Sequence, residues 1–384
     1  MTDTPEDRIP LARPDVGVRE EELLLETLRS GMLALGPRLP EFETELGRWL
    51  GTGHVSALSS GTAALHLAVR AAGVSGGDEV VTTPFSFVAS ASCLLYERAK
   101  PVFCDIDPLT LNIDPAAAAA AVTERTTGLL PVHIFGYPAD MPALERLAAD
   151  RGLWTVEDAC EALGARHADG PAVGARGNLA TFGFYPNKQL ATGEGGALVS
   201  PDAATKARVD SERNQGRAPD MGWLDHDRLG FNYRLSDLAC ALGLAQLSHL
   251  DDMLAARARA ASLYGQALSG IEGLDLPCPD EGGDRRSWFV YVVQLPRGTD
   301  RDATIHALRA RGIDSKPYLP AIHLMSFYRE LLGHREGDFP VCEDVAARSL
   351  ALPFFPELSD GQVERVAGAL VQLLEPAGAA TSAS

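Results

Sequence analysis

The chain has 384 residues, 46% of them apolar and 22% charged, and a formal net charge of −18, the profile of a globular protein long enough for two domains. So acidic a chain is a poor match for nucleic acid or an anionic membrane as main partner, although backbone N–H groups can still hold a phosphate locally. No apolar run reaches about 18 residues, so no membrane-spanning helix is expected.

In chain order, an arm runs to about Pro14; its first seven residues are acidic and polar, unlike a signal peptide. Helical periodicity over 20–30 (Leu23, Leu24, Thr27, Leu28) stops at Gly31, and Phe42, Leu46, Trp49 and Leu50 mark a second helix over 41–50. An alternation follows: strand 55–58, turn 59–62, helix 63–72, strand 79–83 stopped by Pro84, helix 88–96 and strand 102–105. It continues with an Ala-rich helix over 115–122, strand 129–134, a helix capped by Asp140 that runs to 150, and strand 154–158. This pattern predicts an α/β protein with a mainly parallel sheet and helices on both faces. Beyond Val199 the pattern changes. One long helix over 235–268, strand 288–295, helix 303–311 and a closing helix over 362–374 predict a smaller α+β unit, with a fraying tail over 376–384. The expected division is 1–250 for the arm and large domain and 251–384 for the small C-terminal domain.

Lys188 is the first candidate for chemistry. It follows Phe184-Tyr185-Pro186-Asn187 and precedes Thr192-Gly193-Glu194-Gly195-Gly196, which places an amine on a rigid loop between two strands, where it could form a Schiff base with an aldehyde cofactor. Ser59-Ser60-Gly61-Thr62 joins a strand to a helix start, where free N–H groups and hydroxyls suit a phosphate. Asp158 ends a strand on the edge where ligands bind in open α/β sheets, and its carboxylate could pair with a protonated pyridine nitrogen. Phe87 lies just past another strand end and could stack on a flat ring. Asn232 sits in the polar, aromatic loop Gly230-Phe231-Asn232-Tyr233-Arg234. Taken singly, each has a plain structural alternative: a solvated lysine, a helix cap, a capping aspartate, a core phenylalanine and a turn asparagine. The six cysteines form no C-x-x-C pair and the nine histidines form no H-E-x-x-H, so no metal site is expected and the thiols read as reduced, in a cytoplasmic protein. His66 reads as structural, and His133 ends a strand near the expected crevice.

Together, in order, Ser-Gly-Thr, Pro-Phe-Ser-Phe-Val-Ala, Val-His-Ile-Phe-Gly, Glu-Asp-Ala-Cys-Glu-Ala-Leu-Gly-Ala, Phe-Tyr-Pro-Asn-Lys-Gln-Leu-Ala-Thr-Gly-Glu-Gly-Gly, Phe-Asn-Tyr-Arg and Lys-Pro-Tyr-Leu-Pro-Ala-Ile-His-Leu closely resemble the DegT/DnrJ/EryC1/StrS family of sugar aminotransferases, from about Leu11 to Leu374. The resemblance implies the type I, aspartate aminotransferase-like fold of enzymes that depend on pyridoxal 5′-phosphate. It implies that Lys188 is the Schiff-base lysine, that Asp158 pairs with the pyridinium nitrogen, that Phe87 stacks on the ring, and that Gly61 and Thr62 hold the phosphate. Asn232 would reach the phosphate of the neighbouring subunit in a homodimer with shared sites, and Tyr318 and His323 would line the substrate side. L-glutamate as donor and a nucleoside-diphosphate-linked keto-sugar as acceptor follow from the resemblance alone. A keto-cyclitol acceptor and a non-catalytic regulatory or scaffold protein are the alternatives. Dehydratase members carry His in place of the lysine, so Lys188 favours transamination. Two positions depart from many relatives: Gly183, where a phosphate-binding Ser is common, and Glu161, near the cofactor's ring oxygen, where Gln or His is common.

Overall fold

The computed structural model describes residues 8–218, 225–280 and 282–374. Two helices, α1 (Val18–Ser30) and α2 (Arg38–Leu50), lead into β1 (Val55–Leu58), α3 (Gly61–Ala71), β2 (Glu79–Thr82), α4 (Ala89–Tyr96), β3 (Lys100–Phe103), α5 (Pro115–Ala121) and β4 (Thr126–Leu130). These are followed by α6 (Met141–Arg151), β5 (Trp154–Asp158), β6 (Leu179–Gly183), β7 (Gly196–Val199) and α7 (Ala203–Glu212). The remainder comprises α8 (Asp237–Ser248), α9 (Leu250–Leu268), β8 (Tyr291–Gln294), α10 (Arg301–Arg309), β9 (Lys316–Pro317), α11 (Ser326–Leu332), α12 (Pro340–Arg348), β10 (Ser349–Leu352) and α13 (Asp360–Leu374).

Local chemistry sets where helices begin. Ser60, Asp114, Asp140, Asp202, Ser236 and Asp300 each accept a backbone N–H of the turn they precede, which satisfies a donor the helix cannot pair internally. The seven-stranded sheet has the order β1-β7-β6-β5-β4-β2-β3. β7 is antiparallel to both β1 and β6, and β6, β5, β4, β2 and β3 run parallel. The carboxyl ends of β1, β2, β5 and β6 therefore open on one edge. β1, β2 and β7 are buried along their whole length, and α3 buries Ala63 to Val69 almost all round. Each fully buried Leu or Val there contributes about 1.5–3 kcal/mol, so the helix that starts at the Ser60 turn is firmly held. A second, three-stranded antiparallel sheet, β8-β10-β9, packs against α9 and α13 through Tyr264, Leu268, Val363, Val366 and Leu370.

Three elements differ from the sequence expectation. The long helix over 235–268 is two helices, because His249 leaves helical geometry (φ −131°, ψ 20°) where its ring meets buried Glu20 at 2.8 Å. The strand expected over 129–134 ends at Leu130, since Pro131 has no N–H to continue the ladder. Pairing with β5 persists only as Asp158 N–H to Pro131 O and His133 N–H to Asp158 O, after which the chain turns through Phe135 at φ 53°. The strand expected from Trp288 begins at Tyr291, with Trp288 itself at φ 52°. The expected arm's first seven residues and the tail over 376–384 lie outside the described residues. Among the described residues, no helix is long and apolar enough to cross a membrane.

Candidate active site

Several chain segments converge at the carboxyl edge of the large sheet around a cavity of about 580 Å³. Its walls include Gly61 and Thr62, Phe87, Asp158, Glu161, Lys188 and Tyr318, so seven of the nine residues singled out in the sequence lie together. A larger cavity of about 770 Å³, bordered by Arg286, Arg297 and Arg348, contains none of them. We place the site in the smaller cavity, because the candidate nucleophile and carboxylates meet there.

Lys188 Nζ lies 3.8 Å from the centre of the Phe289 ring and 3.5 Å from Glu161 Oε1. The contact spans the chain, and a third residue ties it. Arg257, buried on α9, donates one hydrogen bond to Lys188 O and another to Phe289 O, both at 3.1 Å. No carboxylate pairs with this guanidinium among the described residues, and burial pushes its pKa down to about 10. Glu161 is 6% exposed, and its other oxygen accepts the Phe135 N–H at 2.9 Å. Burial raises the Glu161 carboxyl above the usual range, although Lys188 and the Phe135 N–H pull the other way. Gly136 makes this turn possible. A Cβ there would sit 2.9 Å from Ser287 Oγ and 3.1 Å from Glu161 O.

Asp158 ends β5, nearly buried. Its Oδ2 accepts Ser90 Oγ at 2.6 Å and its Oδ1 accepts the Cys160 N–H at 3.1 Å. Ser90 in turn meets Ser86 Oγ at 2.7 Å, so a short hydroxyl chain fixes the carboxylate's orientation. Phe87 is 60% exposed and lines the cavity, where its flat ring is available to a flat ligand. The Gly61 and Thr62 N–H groups are the first two of α3 and have no intrahelical partners. Ser60 Oγ is already engaged with Ala63 N at 3.0 Å. Gly183 borders the same cavity, with space for a Cβ at 3.4 Å from Cys160 Cβ. Tyr318 is pushed above its usual pKa by burial and by the Glu161 charge, against a bond to Asn187.

Two of the expected residues are elsewhere. Asn232 is exposed on the loop that pairs with Asn214, outside the cavity wall. His323, expected on the substrate side, is fully buried, with Nε2 3.0 Å from Glu343 Oε1 and its ring against Phe339. It is enclosed by the turn that carries it and does not border the cavity. His66 is satisfied between Tyr233 and Glu97. His133 is buried with Nε2 3.0 Å from Glu157 Oε2, also off the cavity wall. His133, Glu157 and His167 bring ligand-type atoms within 4.8 Å of one another. However, Ala139 N–H donates to His133 Nδ1, so Nε2 carries the ring proton and is not free to bind a metal. Sequence reasoning missed Ser90, Phe289 and Arg257. The Ser86/Ser90 spacing, one helical turn, was the only available signal, since Phe289 and Arg257 lie about 100 and 69 residues from the lysine they hold.

The model of the DegT/DnrJ/EryC1/StrS aminotransferase family matches residues 14–371. The chain is 37% identical over 382 residues to the spore coat polysaccharide biosynthesis protein SpsC of Bacillus subtilis (strain 168), covering 96% of this chain and 98% of that one. It is 36% identical over 378 residues to GDP-perosamine synthase of Caulobacter vibrioides, covering 97% and 100%. Among solved structures, DesV of S. venezuelae superimposes with a TM-score of 0.87 at 36% identity, covering 93% of this chain and 94% of that chain.

Proposed function

The chain belongs to the DegT/DnrJ/EryC1/StrS aminotransferase family and is a pyridoxal-phosphate-dependent sugar aminotransferase of the type I fold, and from that premise we propose that it moves the amino group of L-glutamate to a keto-sugar carried on a nucleoside diphosphate, in two alternating half-reactions. The observation that carries the reading is Lys188 Nζ facing a cavity that also presents Asp158, the α3 N-terminus and the open face of Phe87. A relative named for GDP-perosamine, a nucleotide sugar, supports the acceptor class.

The donor set suits pyridoxal phosphate. Gly61 and Thr62 N–H groups, with the Thr62 hydroxyl, would hold the phosphate. Phe87 would cover one face of the ring, and Asp158 would pair with its nitrogen. Once bound, the cofactor supplies an electron sink for the carbon that carries the amine. The protein's own residues do the rest. Asp158, aimed by Ser90 and the Cys160 N–H, would pair with the protonated ring nitrogen and hold its charge. Lys188 Nζ would take a proton from the donor's α-carbon and deliver it to the cofactor's C4′, the former aldehyde carbon on the other side of the nitrogen, first base and then acid. Arg257 holds the backbone beneath Lys188 so that Nζ stays over Phe289. Tyr318 closes the substrate side.

We assign Asn232 to the site of a neighbouring subunit in a homodimer. Its exposure supports this, as does the exposed apolar run Leu25, Leu28, Met32, Leu33 and Leu35 on and after α1. The cytoplasm, which keeps the six free cysteines reduced, is the compartment we propose.

The test is spectroscopic. Protein loaded with pyridoxal phosphate should show a visible band that L-glutamate bleaches, and the bleached form should be re-oxidised by one of a panel of nucleotide-linked keto-sugars. A panel answered only by keto-inositols would move the acceptor to a cyclitol. Lys188→Ala should abolish the band and turnover while leaving the fold intact. Mixing inactive Lys188→Ala and Asn232→Ala chains should recover activity in hybrid dimers, and no recovery would remove the shared site.

A further inference from the structure

Lys188 can attack a carbonyl only as the neutral amine, yet the protein holds it against a carboxylate. Glu161 Oε1 lies 3.5 Å from Nζ, the Lys188 side chain is 15% exposed and that of Glu161 is 7% exposed. Glu161 Oε1 is thus the carboxylate oxygen that Nζ pairs with, placed to take the proton that Nζ must lose. The titratable groups facing Glu161 are Lys188 on the β6–β7 loop, Asp158 at the end of β5, and Tyr318 after β9. Lys188 is the sole cation of the three. Asp158 adds a like charge, and Tyr318 keeps its proton. Oε2 is engaged by the Phe135 N–H and held there by the turn at Gly136, so Oε1 is the oxygen free to accept.

We propose that Glu161 is the proton acceptor for Lys188: it takes the proton that Nζ sheds before attack, and it stays a neutral carboxyl for as long as the cofactor occupies the site. In this step an N–H bond of the Lys188 ammonium breaks and an O–H bond forms on Glu161 Oε1. The freed amine then condenses with the aldehyde of pyridoxal phosphate, so that the aldehyde's C=O becomes C=N and one water leaves. Once the ammonium charge beside it is gone, Asp158 is the protein charge left acting on the buried Glu161 carboxylate, and that like charge and the burial both favour the neutral acid. Departure of the cofactor from the site reverses the transfer and restores the ion pair, whereas a Lys188 released while the cofactor stays is the neutral amine that can act as a base. A Gln at this position can donate a hydrogen bond but cannot store a proton, so the role is specific to the Glu of this chain.

The inference rests on the family reading for the identity of the aldehyde, and its test separates the two. Infrared difference spectra between cofactor-free and loaded wild-type protein should gain one protonated-carboxyl band, and Glu161→Gln should lack it. If loaded wild-type protein shows the visible band without that carboxyl band, the proposal is overturned while the cofactor reading stands. If no visible band forms at all, the cofactor reading itself fails. A carboxyl band that persists in Glu161→Gln also overturns the proposal. Should Glu161→Gln fail to load, Glu161→Asp must shift the band's frequency, and an unshifted band has the same force.

Discussion

Gly196→Ala probes how the Lys188 loop and the Ser60–Gly61 turn are locked together. β7 begins at Gly196 and passes so close to the start of α3 that a Cβ there would lie 2.5 Å from Ser60 C and O and 2.6 Å from Gly61 N. Ordinary contacts begin near 3.4 Å, so one strand must give by roughly an ångström, and all three obstructing atoms are backbone that cannot rotate away. Overpacking of this kind costs about 1–3 kcal/mol. If the turn stays in place, the cofactor-free protein loses that much stability. If the turn moves aside, the strain reappears when cofactor pulls Ser60–Gly61 back, and affinity falls by roughly 5- to 150-fold. Thermal unfolding of the apo-protein and titration of the visible band with pyridoxal phosphate therefore share the penalty between them. Gly53→Ala, where a Cβ meets nothing within 4 Å, is the control. Wild-type stability together with wild-type cofactor affinity in Gly196→Ala would refute the close-approach argument.

Asp158→Asn should lower turnover by about 10²-fold or more, in line with removing one preorganised charge from a dry site, while cofactor retention falls far less; steady-state rates beside the visible band check this, and wild-type turnover would remove the assigned role. His167 is 4% exposed and burial pulls its pKa from 6.5 to about 4. The unfolded chain then binds the extra proton between those values, so stability is complete above about pH 6.5 and is lost as pH falls towards 4, by ~3 kcal/mol in all. Urea unfolding across that window should show a shallower acid slope in His167→Asn than in the wild type, and equal slopes would deny the buried, neutral state.

Elements whose reason for existing is local were legible in the chain. The Asp140 cap, the Pro84 stop and the apolar stripe of Phe42, Leu46 and Leu50 each carry their instruction within a few residues. α7 left no such trace, because its sequence is polar and it buries only Val209, Ser211 and Glu212. The two-residue β9 is exposed and exists because β10 offers a partner. His249 breaks the helix over 235–268 because Glu20, more than 200 residues earlier, needs a partner. At the site, the positions of Lys188, Asp158 and the Ser60 turn were legible since each has its own motif, Asp158 and Ser60 at strand ends and Lys188 on the loop between β6 and β7. His323 shared such a motif yet is turned inward to Glu343, a side-chain direction that spacing along the chain cannot specify. Phe289 and Arg257 were invisible for the opposite reason: each acts on Lys188 across a large loop of chain.

That last arrangement has a consequence for synthesis. During translation from the N-terminus, the lysine, Asp158 and the α3 turn all emerge before the ring that supports Nζ and the arginine that fixes both backbones. A nascent chain ending before residue 289 carries Lys188 but has neither Phe289 against Nζ nor Tyr318 on the cavity wall. Such long-range closure is slow and comes late. The contacts that position Lys188 are therefore complete only once residues 257 and 289 have been made and have docked on the Lys188 loop.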